Sequence, residues 1–333
     1  MSKPSHVIGT YTSAQKGVFG REPLTTFGTV KMYLGFAIIV PIRLALLIPF
    51  HLIMCMLIMI CLLGAEPGGA VGCRRTVFEY LAYIWQRGNL FLFGFYWIPS
   101  KGKQTMPENE SCVVIGNHCS WMEVGFMFAK YCPSFVGKSS LKSIPVIGSI
   151  AVANKTIFID RLAKNRGGVT GQIVEHLQKT QGSKVGIFPE GTTSNGTSIV
   201  SFRSGAFVAG VPVVPCVFKY PYRFYDQSFS SVSLKFHIFG TMAQLINFME
   251  VEYLPVYYPS EEEKADPKLY AGNVKKAMIE ASGLIDSAAT YEDKLKWEDE
   301  VGYENKEMVR KRAMEKKKKE EGGEESEMVE NQV

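Results

Sequence analysis

The sequence has no Cys-x-x-Cys pair and no grouping of cysteine with histidine, although it holds 7 cysteines and 5 histidines. That spacing excludes zinc fingers, and the odd cysteine count argues against a disulfide scaffold. Cys112, Cys119, Cys132 and Cys216 read as small core residues, while Cys55 and Cys61 sit in an apolar run. The expected compartment is a reducing one. The first 30 residues lack the short apolar core of a signal peptide, so no cleavage is expected. The last four residues form no retrieval signal. There is no internal repeat and no nucleic-acid-binding motif, so no nucleic-acid partner is expected. Hydrophobic residues at 46% and charged residues at 21% of 333 positions lie near globular averages. Collagen, wholesale disorder and a polytopic transporter are therefore excluded.

What is present is unevenly spread. Residues 292–333 hold 10 Lys/Arg and 14 Asp/Glu, and the other 291 residues carry 27 and 18, a net of +9. The body is basic and the tail acidic. A basic body suits an anionic partner such as a phosphate-bearing ligand or a membrane surface. The tail from Tyr291 is helix-prone up to Lys319 and then polar, and it reads as a solvated helix fraying into disorder.

From Met32 to Leu63 the chain is almost continuously apolar, broken by Arg43 and His51. Leu44 to Leu63 is long enough to cross about 30 Å of hydrocarbon. A single span, a re-entrant helical hairpin bending near Pro41, Arg43 and Pro49, and a buried helix of a soluble protein all accommodate it. Lys3, Lys16, Arg21 and Lys31 precede the run, and Arg74, Arg75 and Arg87 follow it. Cations on both flanks favour the hairpin, because both ends then stay on the cytosolic side. Residues 1–31 form a polar N-terminal segment and 32–64 the membrane-embedded helical segment. The short apolar stretch Leu90–Ile98 is equally compatible with an interfacial patch holding Tyr96 and Trp97 and with an ordinary core element.

Between about 110 and 260, β-rich runs alternate with amphipathic stretches. The runs 112–117, 133–137, 156–160, 184–189, 212–220, 233–240 and 251–259 read as strands. The stretches 119–131, 139–149, 166–180 and 267–282 read as helices. This alternation predicts an α/β fold, a layered and largely parallel sheet flanked by helices, behind the membrane-embedded helical segment. Ligands of such sheets bind at the carboxyl ends of the strands.

Four short blocks fall at expected strand ends. His118, in GNHCSWMEVGF, follows one strand, and Glu123 lies five residues on, inside the next helix. A carboxylate reaching the imidazole would fix its tautomer and leave the other nitrogen as a base. A structural histidine explains the same spacing. Arg161 ends TIFIDR, where it suits a phosphate or an ordinary surface loop. Glu190, Gly191 and Thr192 follow a strand in FPEGTTSNG, where exposed N–H groups suit phosphate as well as a plain turn. Pro212, in GVPVVP, begins another strand. Singly each block is weak; all four in one α/β domain behind an apolar helix form a pattern.

That pattern resembles the glycerophospholipid acyltransferase superfamily, whose first block is His-x4-Asp, whose second ends in Arg, whose third is Phe-Pro-Glu-Gly-Thr/Ser and whose fourth centres on proline. FRSGAFVAGVPVVPCVFKYPY (202–222) and VEYLPVYYPSEEEKADPKLYAGNVKKAM (251–278) are similar to the lysophosphatidylcholine and plant-type lysophosphatidylethanolamine acyltransferases. The resemblance covers about 90–285, which it implies is the catalytic domain, with 291–333 as the charged tail. It implies that His118 is the catalytic base and that Glu123 stands where the family has Asp. Arg161, Glu190, Gly191, Thr192 and Lys138 would hold the lysophospholipid acceptor, and Pro212 would be associated with acyl-CoA. Lys138 precedes the family's Pro and Gly, here Pro145 and Gly148. No covalent acyl-enzyme on Cys119, no cofactor beyond acyl-CoA as co-substrate and no metal are expected. No D-x-D-x-D-G loop supports calcium regulation.

The activity implied is acyl transfer from acyl-CoA to the free hydroxyl of a lysophospholipid, with lysophosphatidylethanolamine or lysophosphatidylcholine as acceptor. A 1-acylglycerol-3-phosphate acyltransferase is the alternative within the class, and a non-catalytic membrane scaffold the alternative outside it. Membrane lipids are the implied partners. The implied location is the endoplasmic reticulum membrane, with the catalytic domain facing the cytosol. Neither headgroup preference nor oligomeric state is legible.

Overall fold

The computed structural model describes residues 17–64, 71–144, 147–159, 167–179 and 182–303. The chain opens on α1 (Thr26–Leu62), whose N-cap Thr25 accepts a hydrogen bond from Gly28 N at 3.0 Å. At 1.5 Å per residue its 37 residues reach about 55 Å. It runs without interruption through Pro41 and Pro49, so the bend expected there does not occur. The chain reverses instead between Leu63 and Cys73, and α2 (Cys73–Leu92) packs back along α1. Gly88 allows this close approach, since a Cβ there would sit 2.3 Å from the Phe50 ring. The hairpin expected within 32–64 is therefore replaced by one continuous helix, against which α2 packs. An interior proline removes one hydrogen bond without forcing a reversal. The mid-helix Arg43, whose cost had argued for a bend, finds partners in the body instead.

A stripe of α1 is buried at Gly28, Met32, Gly35, Val40, Arg43, Leu47, Met54 and Ile58. The remaining circumference is exposed and apolar, from Phe27 at 64% exposure to Leu63 at 68%. By length and composition it is long and apolar enough to cross a membrane. The stretch 90–98 is neither all core nor all surface: Leu90, Phe93 and Phe95 are buried while Trp97 is 79% exposed.

Nine strands occur among the described residues: β1 (Ser100–Lys101), β2 (Cys112–Gly116), β3 (Ser134–Lys138), β4 (Ile157–Ile159), β5 (Lys184–Ile187), β6 (Ser198–Ile199), β7 (Val213–Lys219), β8 (Glu250–Tyr253) and β9 (Ile285–Asp286). Seven form one sheet in the order β1-β8-β7-β2-β5-β3-β4, and β6 and β9 pair separately. Within the large sheet β7–β8 is antiparallel and the other pairs are parallel. Between the strands come α3 (Met122–Tyr131), α4 (Ile147–Ala153), α5 (Gly167–Lys179), α6 (Leu234–Met242), α7 (Glu261–Ala265) and α8 (Pro267–Ser282), and α9 (Tyr291–Glu300) follows β9. Alternate residues of the central β2 enter two cores. Cys112 and Val114 face α3 with Phe126, Met127 and Phe218, while Val113 and Ile115 face α5 and α8 with Leu177, Val274 and Met278. This double burial is why the strands read as continuous apolar runs.

One expected strand is a helix. Leu234, Phe236 and Ile238 alternate with polar residues, which mimics strand periodicity. The Ser233 side chain, however, accepts from Phe236 N and starts α6. The tail also differs from expectation. In α9, Lys294 and Glu298 are buried, at 6% and 2% exposure, so this part is packed rather than solvated. The rest of the tail, including 316–319, lies outside the described residues.

Candidate active site

Parallel β2, β3, β4, β5 and β7 present their carboxyl ends at one edge of the sheet. The central β2 delivers Asn117 and His118 to it. Asn117 clasps β7 at both ends of its amide, donating to Phe218 O at 2.9 Å and accepting from Phe218 N at 2.7 Å. That double bond fixes the strand end from which His118 projects.

The Glu123 carboxylate lies 3.0 Å from His118 Nδ1 and is fully buried. It also accepts from Cys119 N at 3.1 Å and from Ser120 N at 2.7 Å. The carboxylate thus folds back over the turn before α3 and takes three donors, within the first turn of the helix, where negative charge is favoured. With Nδ1 donating to a carboxylate, His118 Nε2 carries the lone pair. The ring is stacked on Phe188 from the end of β5, centroids 4.1 Å apart and planes at 16°. A side-chain exposure of 21% leaves His118 open to a substrate.

Residues 188–194 join the same edge. Gly191 has φ +65°, and a Cβ there would lie 2.8 Å from Arg203 Nε, so both conformation and space call for glycine. Ser194 N donates to His118 O at 2.9 Å, tying this turn to the base. Glu190 is 1% exposed, and its carboxyl makes no hydrogen bond of ordinary geometry among the described residues. Burial pushes its pKa well above the usual carboxylate value, against the pull of nearby backbone N–H groups of His118 and Val200. Thr192 is buried beside it.

Behind the dyad lies a second, closed histidine. His237 of α6 is fully buried, with Nε2 3.0 Å from Ser120 Oγ, and burial depresses its pKa to about 3. It is held neutral and supports the turn carrying Glu123. Cys119 is buried, and desolvation with the charges of Glu123, Glu190 and Asp226 drives its thiol pKa well up. Both effects disfavour the thiolate that a cysteine nucleophile needs. The buried Tyr220 hydroxyl is pushed the same way by burial and by Glu123. Among the described residues no cluster of His, Cys, Asp and Glu has the makeup of a metal site.

The acyltransferase family model matches residues 98–219, from the entry to β1 through β7. The chain is 32% identical to the lysophospholipid acyltransferase LPEAT1 of Arabidopsis thaliana over 84% of this chain and 82% of that one. The chain belongs to the acyltransferase family. It is also 32% identical to lysophosphatidylcholine acyltransferase 1 of Rattus norvegicus, covering 68% of this chain but only 43% of that longer one. The solved 1-acyl-sn-glycerophosphate acyltransferase PlsC of Thermotoga maritima aligns with a TM-score of 0.48 at 17% identity, over 77% of this chain and 94% of that one.

The acyltransferase blocks are not all gathered at one edge. His118, Glu123 and 190–192 converge. Lys138 closes β3 at the same carboxyl edge, paired with Ile159. Arg161 and Pro145 lie outside the described residues. Gly148 packs against the turn before it, where a Cβ would be 2.2 Å from Lys142 O. Pro212 is not brought to the dyad. It precedes β7, whose Val213 pairs with Val113, and its carbonyl accepts from Val113 N at 3.1 Å. This is the amino end of β2, a five-residue strand or roughly 16 Å from His118. Parallel register forces this, because a residue that starts β7 sits opposite one that starts β2.

Asn117, Phe188, His237 and Lys294 escaped sequence reasoning. The first two adjoin the blocks and could have been read from their strand-end positions. The last two come from a segment read as a strand and from a tail read as solvated.

Proposed function

We propose that this acyltransferase is a membrane-bound acyl-CoA:lysophospholipid O-acyltransferase. The observation that carries the reading is the His118–Glu123 dyad at the carboxyl edge, with Nε2 open and Nδ1 held at 3.0 Å. His118 Nε2 takes the proton from the free glycerol hydroxyl as that oxygen attacks the thioester carbonyl. The C–S bond breaks, CoA leaves as thiolate, and the proton held on His118 returns to it. Glu123 stabilises the imidazolium formed on the way. General-base help contributes about 10²–10⁴-fold, and positioning of the two substrates more.

The acceptor's phosphate belongs, in this reading, beside Lys138, Arg161 and the 190–192 turn. Burial raises the Glu190 carboxyl pKa, which favours the form that can donate to a phosphate there. Pro212 shapes the start of β7, away from the dyad. An apolar groove of about 460 Å³ between α1 and α6 reaches Trp121, the N-cap of α3, and offers room for a fatty chain. The kinship with enzymes named for lysophospholipids supports a lysophosphatidylethanolamine or lysophosphatidylcholine acceptor. In this reading the catalytic body, about 90–285, faces the cytosol at the endoplasmic reticulum membrane, which the cations Lys16, Arg21 and Lys31 at the start of α1 support.

The test is transfer from radiolabelled acyl-CoA to a panel of lysolipids in microsomes. Wild type should acylate a zwitterionic lysophospholipid and His118→Ala should not. Preference for lysophosphatidate would make the chain a 1-acylglycerol-3-phosphate acyltransferase. Absence of transfer to every acceptor, with the protein folded, would leave a scaffold.

A further inference from the structure

Arg43 stands near the middle of α1, and its guanidinium is buried at 4% exposure. It donates to Met242 O and Gln244 O at 2.6 Å, to Leu245 O at 2.9 Å and to the Tyr96 hydroxyl at 3.2 Å. A charge on so apolar a helix is costly unless its donors are met. Here they are met by the carbonyl end of α6, which is short of donors and partially negative. Two turns earlier Gly35 presses on the same place, where a Cβ would fall 2.0 Å from Ala243 O. The turn after α6 is therefore fixed to α1 at the level of Arg43, and whatever depth that residue has, the turn shares.

The turn is also rigid. Asn247 donates from its side chain to Phe93 O at 2.6 Å and Thr241 O at 2.8 Å, and from its backbone to Gly94 O at 2.9 Å. Yet its outward side chains are apolar. Leu245 is 57% exposed, Ile246 48% and Phe248 39%. The turn that carries them is held against α1 by Arg43 and Gly35, and the outward face of α1 at that level is itself apolar, with Ile38 and Ile42 exposed. Holding three apolar side chains outward on a turn pinned by hydrogen bonds calls for an apolar surround. Cations rim the patch, with the Lys31 ammonium 4.3 Å from the Phe224 ring centroid and the Arg223 guanidinium 5.7 Å from that of Phe248. An apolar surface bordered by aromatics and basic residues matches the headgroup boundary of a bilayer.

We propose that the turn Ala243–Phe248 is a second membrane-contact surface, which seats the catalytic body in the lipid interface beside α1 instead of leaving it tethered at a distance. The inference rests on α1 being the membrane helix of the proposed enzyme. The occupant is lipid rather than protein, because the patch is fixed to α1, whose own outward face is exposed and apolar, and carries a cationic rim. It gives the dyad a reason to meet a membrane-borne acceptor. Trp121 caps α3, which carries Glu123, and Trp121 and Met242 line the same groove.

The test uses the full chain in vesicles of phosphatidylcholine and phosphatidylserine, with Cys55, Cys61 and Cys73 replaced by serine. A nitrobenzoxadiazole label is placed at Leu245→Cys or Ile246→Cys, and for comparison at Glu280→Cys on the distal α8. Doxyl-labelled phosphatidylcholine should quench the labels at 245 and 246 several-fold more than the label at 280, and aqueous iodide should do the reverse. Iodide quenching at 245 and 246 equal to that at 280 overturns the proposal. Shielding from both quenchers also overturns it, since a protein or a second copy then covers the patch. Quenching reads position and not turnover, so loss of the catalytic assignment would leave this result standing. Should the labelled chains misfold, Leu245→Ser/Ile246→Ser supplies a second reading. The acceptor KM should then rise several-fold in vesicles and stay unchanged in detergent micelles, and equal KM values in both would overturn the proposal.

Discussion

The Lys294 ammonium donates to the Thr193 carbonyl at 2.8 Å and to the Thr193 hydroxyl at 2.9 Å, across 101 residues of sequence. The lysine comes from α9, beyond the residues matched by the family model, and the threonine directly follows Glu190–Thr192. Thr193 in turn donates to Phe229 O at 2.6 Å, and Phe229 N donates to Cys119 O at 2.6 Å, beside the base. A chain of hydrogen bonds thus runs from the tail helix through the third block to the residue after His118.

Lys294→Met removes both donors and leaves a buried carbonyl unpaired. The expected loss of stability is about 1–3 kcal/mol, read as a lower denaturant midpoint in detergent. If 190–192 holds the acceptor, the KM for lysophospholipid should rise while that for acyl-CoA stays near wild type. Equal shifts in both would mean that α9 supports the fold generally.

The same lysine predicts a pH dependence. Burial lowers its pKa from 10.5 to about 8, with Glu298 and Glu190 pulling the other way. Between about pH 8 and 10.5 the unfolded chain therefore binds more protons at this site than the folded one, so its contribution to stability rises with pH. The penalty for burying the charge is fully present below pH 8. The stability difference between wild type and Lys294→Met should grow by about 3 kcal/mol across that window, following the 1.36 kcal/mol per pKa unit relation. A pH-independent difference would show that Lys294 titrates normally.

Three sequence positions, Asn109, Asn154 and Asn195, fit the N-glycosylation pattern, and the structure separates them. Asn154 is buried, and its amide donates to Pro133 O at 2.7 Å, which closes it to a glycan. The Asn195 amide donates to Gly17 O and Gly20 O, both at 2.9 Å. A glycan on that nitrogen would break this docking, so Asn195 should stay unmodified on either side of a membrane. Asn109 is exposed in a loop and is the informative site. A cytosolic catalytic body predicts no glycosidase-sensitive mobility shift in cells. A shift abolished by Asn109→Gln would place the body in the lumen.

The layered sheet was legible because burial on both faces writes itself as apolar runs, as in Val113–Ile115. The dyad was legible because one strand end and the next helix start bring His118 and Glu123 together within a few residues. Contacts closed over long separations left no local sign. Arg43 meets Met242 and Lys294 meets Thr193 through backbone carbonyls, which any residue supplies. α6 was misread because alternation over a few positions favours a strand, while the deciding Ser233 cap is a single residue. The position of Pro212 follows from register, which a list of motifs does not contain.

The dyad offers the sharpest test. Glu123 serves three donors at once, namely Cys119 N, Ser120 N and His118 Nδ1. Glu123→Gln keeps the shape but replaces one acceptor oxygen with an amide donor, so either the imidazole or the turn loses its partner. Activity should fall nearly as far as in His118→Ala, and the double variant should be little worse, because the pair acts as a unit. Glu123→Asp restores the residue the family pattern carries and withdraws the carboxylate by about one bond. The backbone N–H bonds of the turn lie nearest and should hold it, leaving His118 Nδ1 out of reach. A misplacement of about 1 Å can cost about 10²-fold, so kcat should fall by about that factor with the KM for acyl-CoA little changed. Full activity in Glu123→Gln beside an inactive, folded His118→Ala would mean that the histidine works without its carboxylate, and the dyad would have to be abandoned.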